Sequence, residues 1–92
     1  MTFKPEALGD FFTMFEQKKQ AIRNFPGCHH LEVWQEKEQP HIVFTYSFWS
    51  DVAALDEYRH SELFKSTWTE TKIKFADKPS AHTVELYDIV RP

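Results

Sequence analysis

At 92 residues the chain has room for one domain, 1–92, around a small core. Its 14 acidic against 11 basic residues give a formal net charge of −3 with no basic run, which argues against a nucleic-acid binder held by phosphate contacts. The single cysteine, Cys28, excludes an internal disulfide framework and a four-cysteine zinc site, and rings make up 16% of the residues, enough to fill one core or to meet a partner or ligand. No apolar run reaches the ~18 residues of a membrane span, and the N-terminus lacks a signal peptide's apolar stretch. A soluble, cytoplasmic domain that touches neither membrane nor nucleic acid is expected.

In chain order, Thr2-Phe3-Lys4 read as a short strand ended by Pro5, which also suits the first turn of a helix. Leu8, Phe11, Phe12, Phe15, Ile22 and Phe25 then recur at helical spacing, with Lys18, Lys19, Gln20 and Arg23 on the other faces, up to the stop at Pro26-Gly27. Residues 29–36 and 41–50 are rich in β-branched and aromatic side chains and read as a hairpin across Lys37-Glu38-Gln39-Pro40. A turn centred on Glu38-Gln39 opposes Leu31 to Tyr46 and Val33 to Phe44. One face then carries His29, Leu31, Val33 and Gln35 with Ile42, Phe44, Tyr46 and Phe48. The other carries His30, Glu32, Trp34 and Glu36 with His41, Val43, Thr45, Ser47 and Trp49. Ser50 is placed to cap a helix near 51–59, with Asp51 in its first turn and Val52, Leu55 and Tyr58 inward. Ser61 caps a second helix near 62–76, with Phe64, Trp68 and Phe75 as its buried stripe. Residues 81–90 alternate as a last strand.

The pattern P-x-x-H-x-[LV]-E-[VL] occurs at Pro26–Val33 and again at Pro79–Leu86, either from duplicated helix-to-strand junctions or by chance. The element order β-α-β-β-α-β is the split βαβ, or ferredoxin-like, plan: an α+β fold with a four-stranded antiparallel sheet. Only Met1 to Lys4 precede Pro5, so either the chain begins further upstream or its first strand is stunted and 81–90 compensates. Helices on one side of such a sheet leave the other side bare. Ile42, Phe44, Tyr46 and Phe48 would expose a contiguous apolar patch, and burial against a second copy gives a two-fold homodimer. The mixed face would then look at its own helices across a cavity, because Glu32, Thr45 and Ser47 are poor core fillers.

Three stretches carry a family resemblance: Ile22–Val33 (IRNFPGCHHLEV), 45–64 (TYSFWSDVAALDEYRHSELF) and the KPSAHTVEL ending. Together they resemble the antibiotic biosynthesis monooxygenase domain of the dimeric α/β-barrel superfamily, over nearly the whole chain. The most diagnostic feature is Trp49 ending a strand, then Ser50-Asp51, Ala54-Leu55 and Ser61-x-x-Phe64. The resemblance implies two sheets pairing face to face into a dimeric α/β barrel, with a cavity between sheet and helices in each subunit. It also implies oxidation of a quinol- or phenol-type aromatic by dioxygen without flavin, metal or other cofactor. Other relatives degrade haem, isomerise or only bind small molecules. Two positions depart from the pattern. Asn24, the one asparagine, closes a helix where monooxygenase and haem-degrading members typically place an asparagine on a pocket strand. Trp68 stands where haem-degrading members carry a histidine, which disfavours haem degradation. Two functions remain open: a monooxygenase for a small electron-rich aromatic, or a non-catalytic small-molecule-binding dimer or isomerase.

Trp49 matches the family's pocket tryptophan, or is a core ring at a strand end. His30, near Ser47 with Glu32 two residues along, is an oriented base or an edge histidine. Tyr58 donates to a phenolate or packs. Thr45 and Ser47 bind a ligand oxygen or supply ordinary sheet polarity, and Arg59 and His60 form the cavity mouth or a solvated corner. Phe64 and Trp68 wall the cavity, and Trp34 stacks on a ligand or packs. His29 and His30 point to opposite faces of a strand and no H-x-x-x-H spacing occurs, so no metal site is expected.

Overall fold

The computed structural model describes residues 1–92. A single 3-10 turn at Pro5–Ala7 leads into helix α1 (Leu8–Arg23), strands β1 (Cys28–Gln35) and β2 (Val43–Trp49), and helices α2 (Val52–Arg59) and α3 (Glu62–Lys72). Pro5 costs nothing at a helix start, where its missing N–H has no partner in any case. The apolar positions of α1 turn inward: Phe11, Met14 and Ile22 are buried, while Leu8, Phe12 and Phe15 are half-buried. After α1 the chain reverses through Gly27, whose φ of 89° favours glycine.

Phe3, Phe11, Met14 and Val43 form the buried core, flanked by Met1, Leu8, Phe12, Phe15, Val33 and Phe75. The Phe3 ring lies 4.3 Å from Phe11 and 5.2 Å from Phe75, which ties the N-terminal segment both to α1 and to the residues after α3. Burying a side chain of this size is worth roughly 1.5–3 kcal/mol. Phe3 therefore anchors a segment that has little regular structure of its own.

The sheet is a two-stranded antiparallel β1–β2 hairpin. Isolated bridges join Thr2 to Ile42 and Phe3 to Phe75. They set out the order of a split βαβ sheet (Phe75, then Thr2-Phe3, then β2, then β1), but only β1 and β2 run as strands. The strand expected at 81–90 is not formed. Residues 81–92 are irregular and exposed. Alternating side chains do not make a strand unless a neighbour supplies backbone partners, and the segment before Pro5 pairs only at Thr2 and Phe3. Consequently the first copy of the P-x-x-H-x-[LV]-E-[VL] pattern enters a strand and the second does not.

The hairpin register corrects the expected faces. Cys28 does oppose Trp49 as the Glu38-Gln39 turn requires, but the register shifts between Cys28 and His30. One extra residue, His29, bulges out of β1. Beyond it His30 opposes Phe48, Leu31 opposes Ser47, Glu32 opposes Tyr46, Val33 opposes Thr45 and Trp34 opposes Phe44. Because side chains alternate, that single residue moves the rest of β1 to the opposite side of the sheet. Leu31, Val33 and Gln35 share the inner, helix-facing side with Val43, Thr45 and Ser47. His30, Glu32 and Trp34 share the outer side with Phe44, Tyr46 and Phe48.

The helices differ from expectation only at their ends. Asp51, not Ser50, caps α2, its carboxylate accepting the Ala54 N–H at 2.8 Å, and Val52 is exposed rather than inward. Ser61 caps α3 as expected, accepting the Phe64 N–H at 3.1 Å, but α3 ends at Lys72 rather than at residue 76.

Candidate functional site

The inner sheet face and the helices over it bring five of the expected residues together: Ser47, Trp49, Tyr58, Phe64 and Trp68. Trp49, at the end of β2, stacks on Tyr58 of α2 with ring centroids 5.0 Å apart and planes 25° from parallel. Phe25 meets both rings edge-on, at 6.2 Å and 5.3 Å. Tyr58 meets Phe64 at 5.2 Å, and Phe64 stacks on Trp68 at 6.1 Å with planes only 5° apart. The rings continue through Trp68 to Phe75 at 5.6 Å, so an unbroken aromatic wall runs along α2 and α3. The Trp49 indole N–H donates to the Ser47 hydroxyl at 2.9 Å, fixing the ring at the sheet's end. Burial pushes the Tyr58 phenol up to about 12, with Cys28 adding to the effect. That phenol keeps its proton at neutral pH and acts as a donor, not a base.

Thr45 also lies on the inner face, where it is open to solvent. His60 ends α2, exposed, with Nδ1 2.7 Å from the Asp56 carbonyl; it and the exposed Arg59 stand at the corner between α2 and α3.

His30 and Trp34 are not part of this assembly, because the bulge puts them on the outer face. The expected couple does form there. His30 Nε2 lies 2.9 Å from one Glu32 carboxylate oxygen, and the Trp34 indole N–H donates to the other at 3.1 Å. These two hydrogen bonds, that from His30 foremost, hold the Glu32 carboxyl below its ordinary range. The couple stands among Trp34, Phe44, Tyr46 and Phe48, each 45–60% exposed, and with the sheet between it and Ser47 it cannot act as a base there. The displaced His29 instead reaches the Ser50 hydroxyl at 2.6 Å.

A cavity between sheet and helices was expected, but the open space on the inner side is lined by residues other than the expected site residues. A groove of about 350 Å³ lies between α1 and β1, with Phe12, Phe15, Leu31 and Val33 as its apolar surface and Lys19 and Arg23 on its rim. Lys19 pairs with Glu16 at 2.6 Å, and Arg23 donates to the Cys28 carbonyl at 2.9 Å. Phe12, Phe15, Lys19 and Arg23 follow one another at helical spacing, yet Lys19 and Arg23 were expected on the other faces of α1 and instead share this groove with the two rings; the β1 half was hidden by the bulge. A shallower hollow of about 460 Å³ opens beside Trp68, Phe75 and Pro79. No three His, Cys, Asp or Glu side chains converge where they would share a metal ion. No helix is long and apolar enough to cross a membrane.

A family model described as antibiotic biosynthesis monooxygenase matches residues 1–69. No curated protein matches the chain. Among solved structures, a conserved protein from Methanosarcina mazei Go1 is similar at 25% identity and a TM-score of 0.79, over 84% of this chain and 76% of its own. An antibiotic biosynthesis monooxygenase is similar at 21% identity and a TM-score of 0.78, over 84% and 81%. Rv0793 from Mycobacterium tuberculosis reaches a TM-score of 0.79 at 12% identity, over 95% and 91%. The α+β fold is common to all of them.

Proposed function

The chain belongs to the antibiotic biosynthesis monooxygenase family, and on that premise we propose that it oxidises a small electron-rich aromatic, a quinol or phenol, with dioxygen and no cofactor. The observation that carries this reading is the Trp49–Tyr58 stack at the end of the inner sheet face, whose β1 residues Leu31 and Val33 line an open groove. A phenolate held there passes one electron to dioxygen. The phenoxyl radical and superoxide then combine at a ring carbon. One oxygen atom stays on the ring, the other leaves as water, and the product is a quinone. Trp49 and Phe64 supply the stacking wall, and the protonated Tyr58 donates to the phenolate oxygen in a water-poor space, where such a bond is strongest. With His30 on the outer face, no base stands opposite Ser47. The substrate therefore ionises by its own acidity, and turnover should rise with pH through the substrate's phenol pKa.

Two copies pair through the outer face in this account, burying Ile42, Phe44, Tyr46 and Phe48 with Trp34 among them, and residues 81–90 complete a four-stranded sheet and the dimeric α/β barrel. Support comes from the half-exposed rings, which form the kind of patch that marks an interface. A second reading, a binding dimer or an isomerase, is favoured by the lack of a base and of an asparagine on the inner face.

Oxygen uptake by purified protein with a panel of reduced quinols and phenols separates the two. Uptake above the protein-free rate, unaffected by chelator, supports the oxygenase, and silence across the panel moves the assignment to the second reading. Trp49→Phe should lower turnover about tenfold, the scale of one aromatic contact, while sedimentation still reports a dimer. Unchanged turnover would remove Trp49 from the site.

A further inference from the structure

We infer that the groove between α1 and β1 selects aromatic substrates bearing an ionised acid group, an inference that rests on the oxygenase or binding reading of the inner sheet face. Its volume, about 350 Å³, falls within the roughly 300–1,000 Å³ of small-molecule sites. Phe12, Phe15, Leu31 and Val33 offer an aromatic ring an apolar seat, and Lys19 and Arg23 stand one helical turn apart above it on α1.

Charge on the rim is the unusual part. Two cations face one carboxylate, Glu16, so the rim is locally positive in a chain whose formal net charge is −3. Lys19 already pairs with Glu16, leaving Arg23 as the cation without an acidic partner in contact. One Arg23 nitrogen donates to the Cys28 carbonyl at 2.9 Å, which holds the guanidinium beside the start of β1. A guanidinium has five N–H donors, so most of its fork is left for a planar carboxylate.

The groove's β1 wall also adjoins Thr45 and Ser47 across the strand pair. Leu31 lies opposite Ser47 and Val33 opposite Thr45, so the apolar surface passes directly into the polar positions of β2. A hydroxylated aromatic acid lying across the inner face has its acid toward α1 and its phenol toward β2. A neutral quinol makes the second contact but not the first. Arg23 also suits the negative end of the α1 dipole, a role that needs no ligand, so the test must read ligand charge and not stability.

The experiment is anaerobic calorimetric titration of the full chain with dihydroxyphenylacetate and, separately, with its methyl ester, at pH 7. The acid should bind at least tenfold more tightly than the ester. Lys19→Gln combined with Arg23→Gln should erase that preference while leaving the ester's affinity in place, and Arg23→Lys should retain part of it. Circular dichroism verifies the fold of each variant. Equal affinity for acid and ester, a preference surviving the double substitution, or binding of neither probe would each overturn the inference. Because no oxygen is present, failure here is separate from failure of the oxygenase reading. A protein that prefers the acid yet consumes no oxygen keeps the groove assignment and loses the reaction; one that oxidises neutral quinols without preferring acids does the reverse.

Discussion

Gly27 joins α1 to β1 at a point where no side chain fits. A Cβ there would lie 2.5 Å from the Cβ of Ala54 on α2, and the φ of 89° is one that other residues rarely adopt. Gly27→Ala should therefore cost about 2–4 kcal/mol, combining backbone strain with a forced separation of β1 from α2. The midpoint of denaturant unfolding measures it, and an unchanged midpoint would contradict the close approach. Tyr58 makes a claim of a different kind. Its phenol is pushed up to about 12, against 10.0 for an ordinary tyrosine, so the unfolded chain loses that proton first as pH rises. Stability should be complete below pH 10 and decline between about 10 and 12, by roughly 2 kcal/mol once partial solvent exposure is allowed for. Tyr58→Phe should abolish this alkaline loss. A variant that loses stability over the same range as the natural chain would place the effect elsewhere.

At the level of elements, the helices were legible because their signals are local. Apolar spacing on α1, the Pro26-Gly27 stop and the Ser61 cap of α3 each act within one or two turns, and each appears where expected. The start of α2 shows how little separates two cap candidates: Ser50 and Asp51 are adjacent, and the carboxylate of Asp51 takes the Ala54 N–H while the Ser50 hydroxyl turns to His29. Asp51→Ala should cost about 1 kcal/mol in thermal or chemical unfolding and Ser50→Ala distinctly less; the opposite ranking would reassign the cap. The hairpin was harder. Its opening pair, Cys28 with Trp49, follows from the sequence, yet the pairing beside the turn, Gln35 with Val43, is centred on Gln39 rather than between Glu38 and Gln39, and the bulge at His29 that absorbs the difference has no signature in residue type. One unpaired residue therefore moved His30 and Trp34 out of the candidate site and brought Leu31 and Val33 into it. The aromatic wall survived that shift because Trp49, Tyr58, Phe64 and Trp68 lie on β2, α2 and α3, all beyond the bulged strand.

For the molecule as a whole, the two sides of the sheet have different chemistry. The inner side holds the core, the aromatic wall and the groove, whereas the outer side presents the half-exposed rings of Phe44, Tyr46 and Phe48 beside the His30–Glu32–Trp34 chain. Strand order is already written in the Thr2–Ile42 and Phe3–Phe75 bridges, while 81–90 keeps a strand's alternation without a strand's hydrogen bonds. Non-local pairing of this kind is what a local reading of residues is least able to settle. The proposed dimer gives both unfinished features a role, since it covers the outer rings and completes the sheet. The reaction itself is tested most directly by isotope labelling. A quinol or phenol that supports oxygen uptake is turned over under ¹⁸O-labelled dioxygen in ordinary water, and the product is weighed at once by mass spectrometry. A monooxygenase acting at the inner face should place one labelled atom in each product molecule, and Trp49→Phe should slow its appearance. Product formed with no label would show that dioxygen serves only as an electron acceptor, and would contradict the assignment.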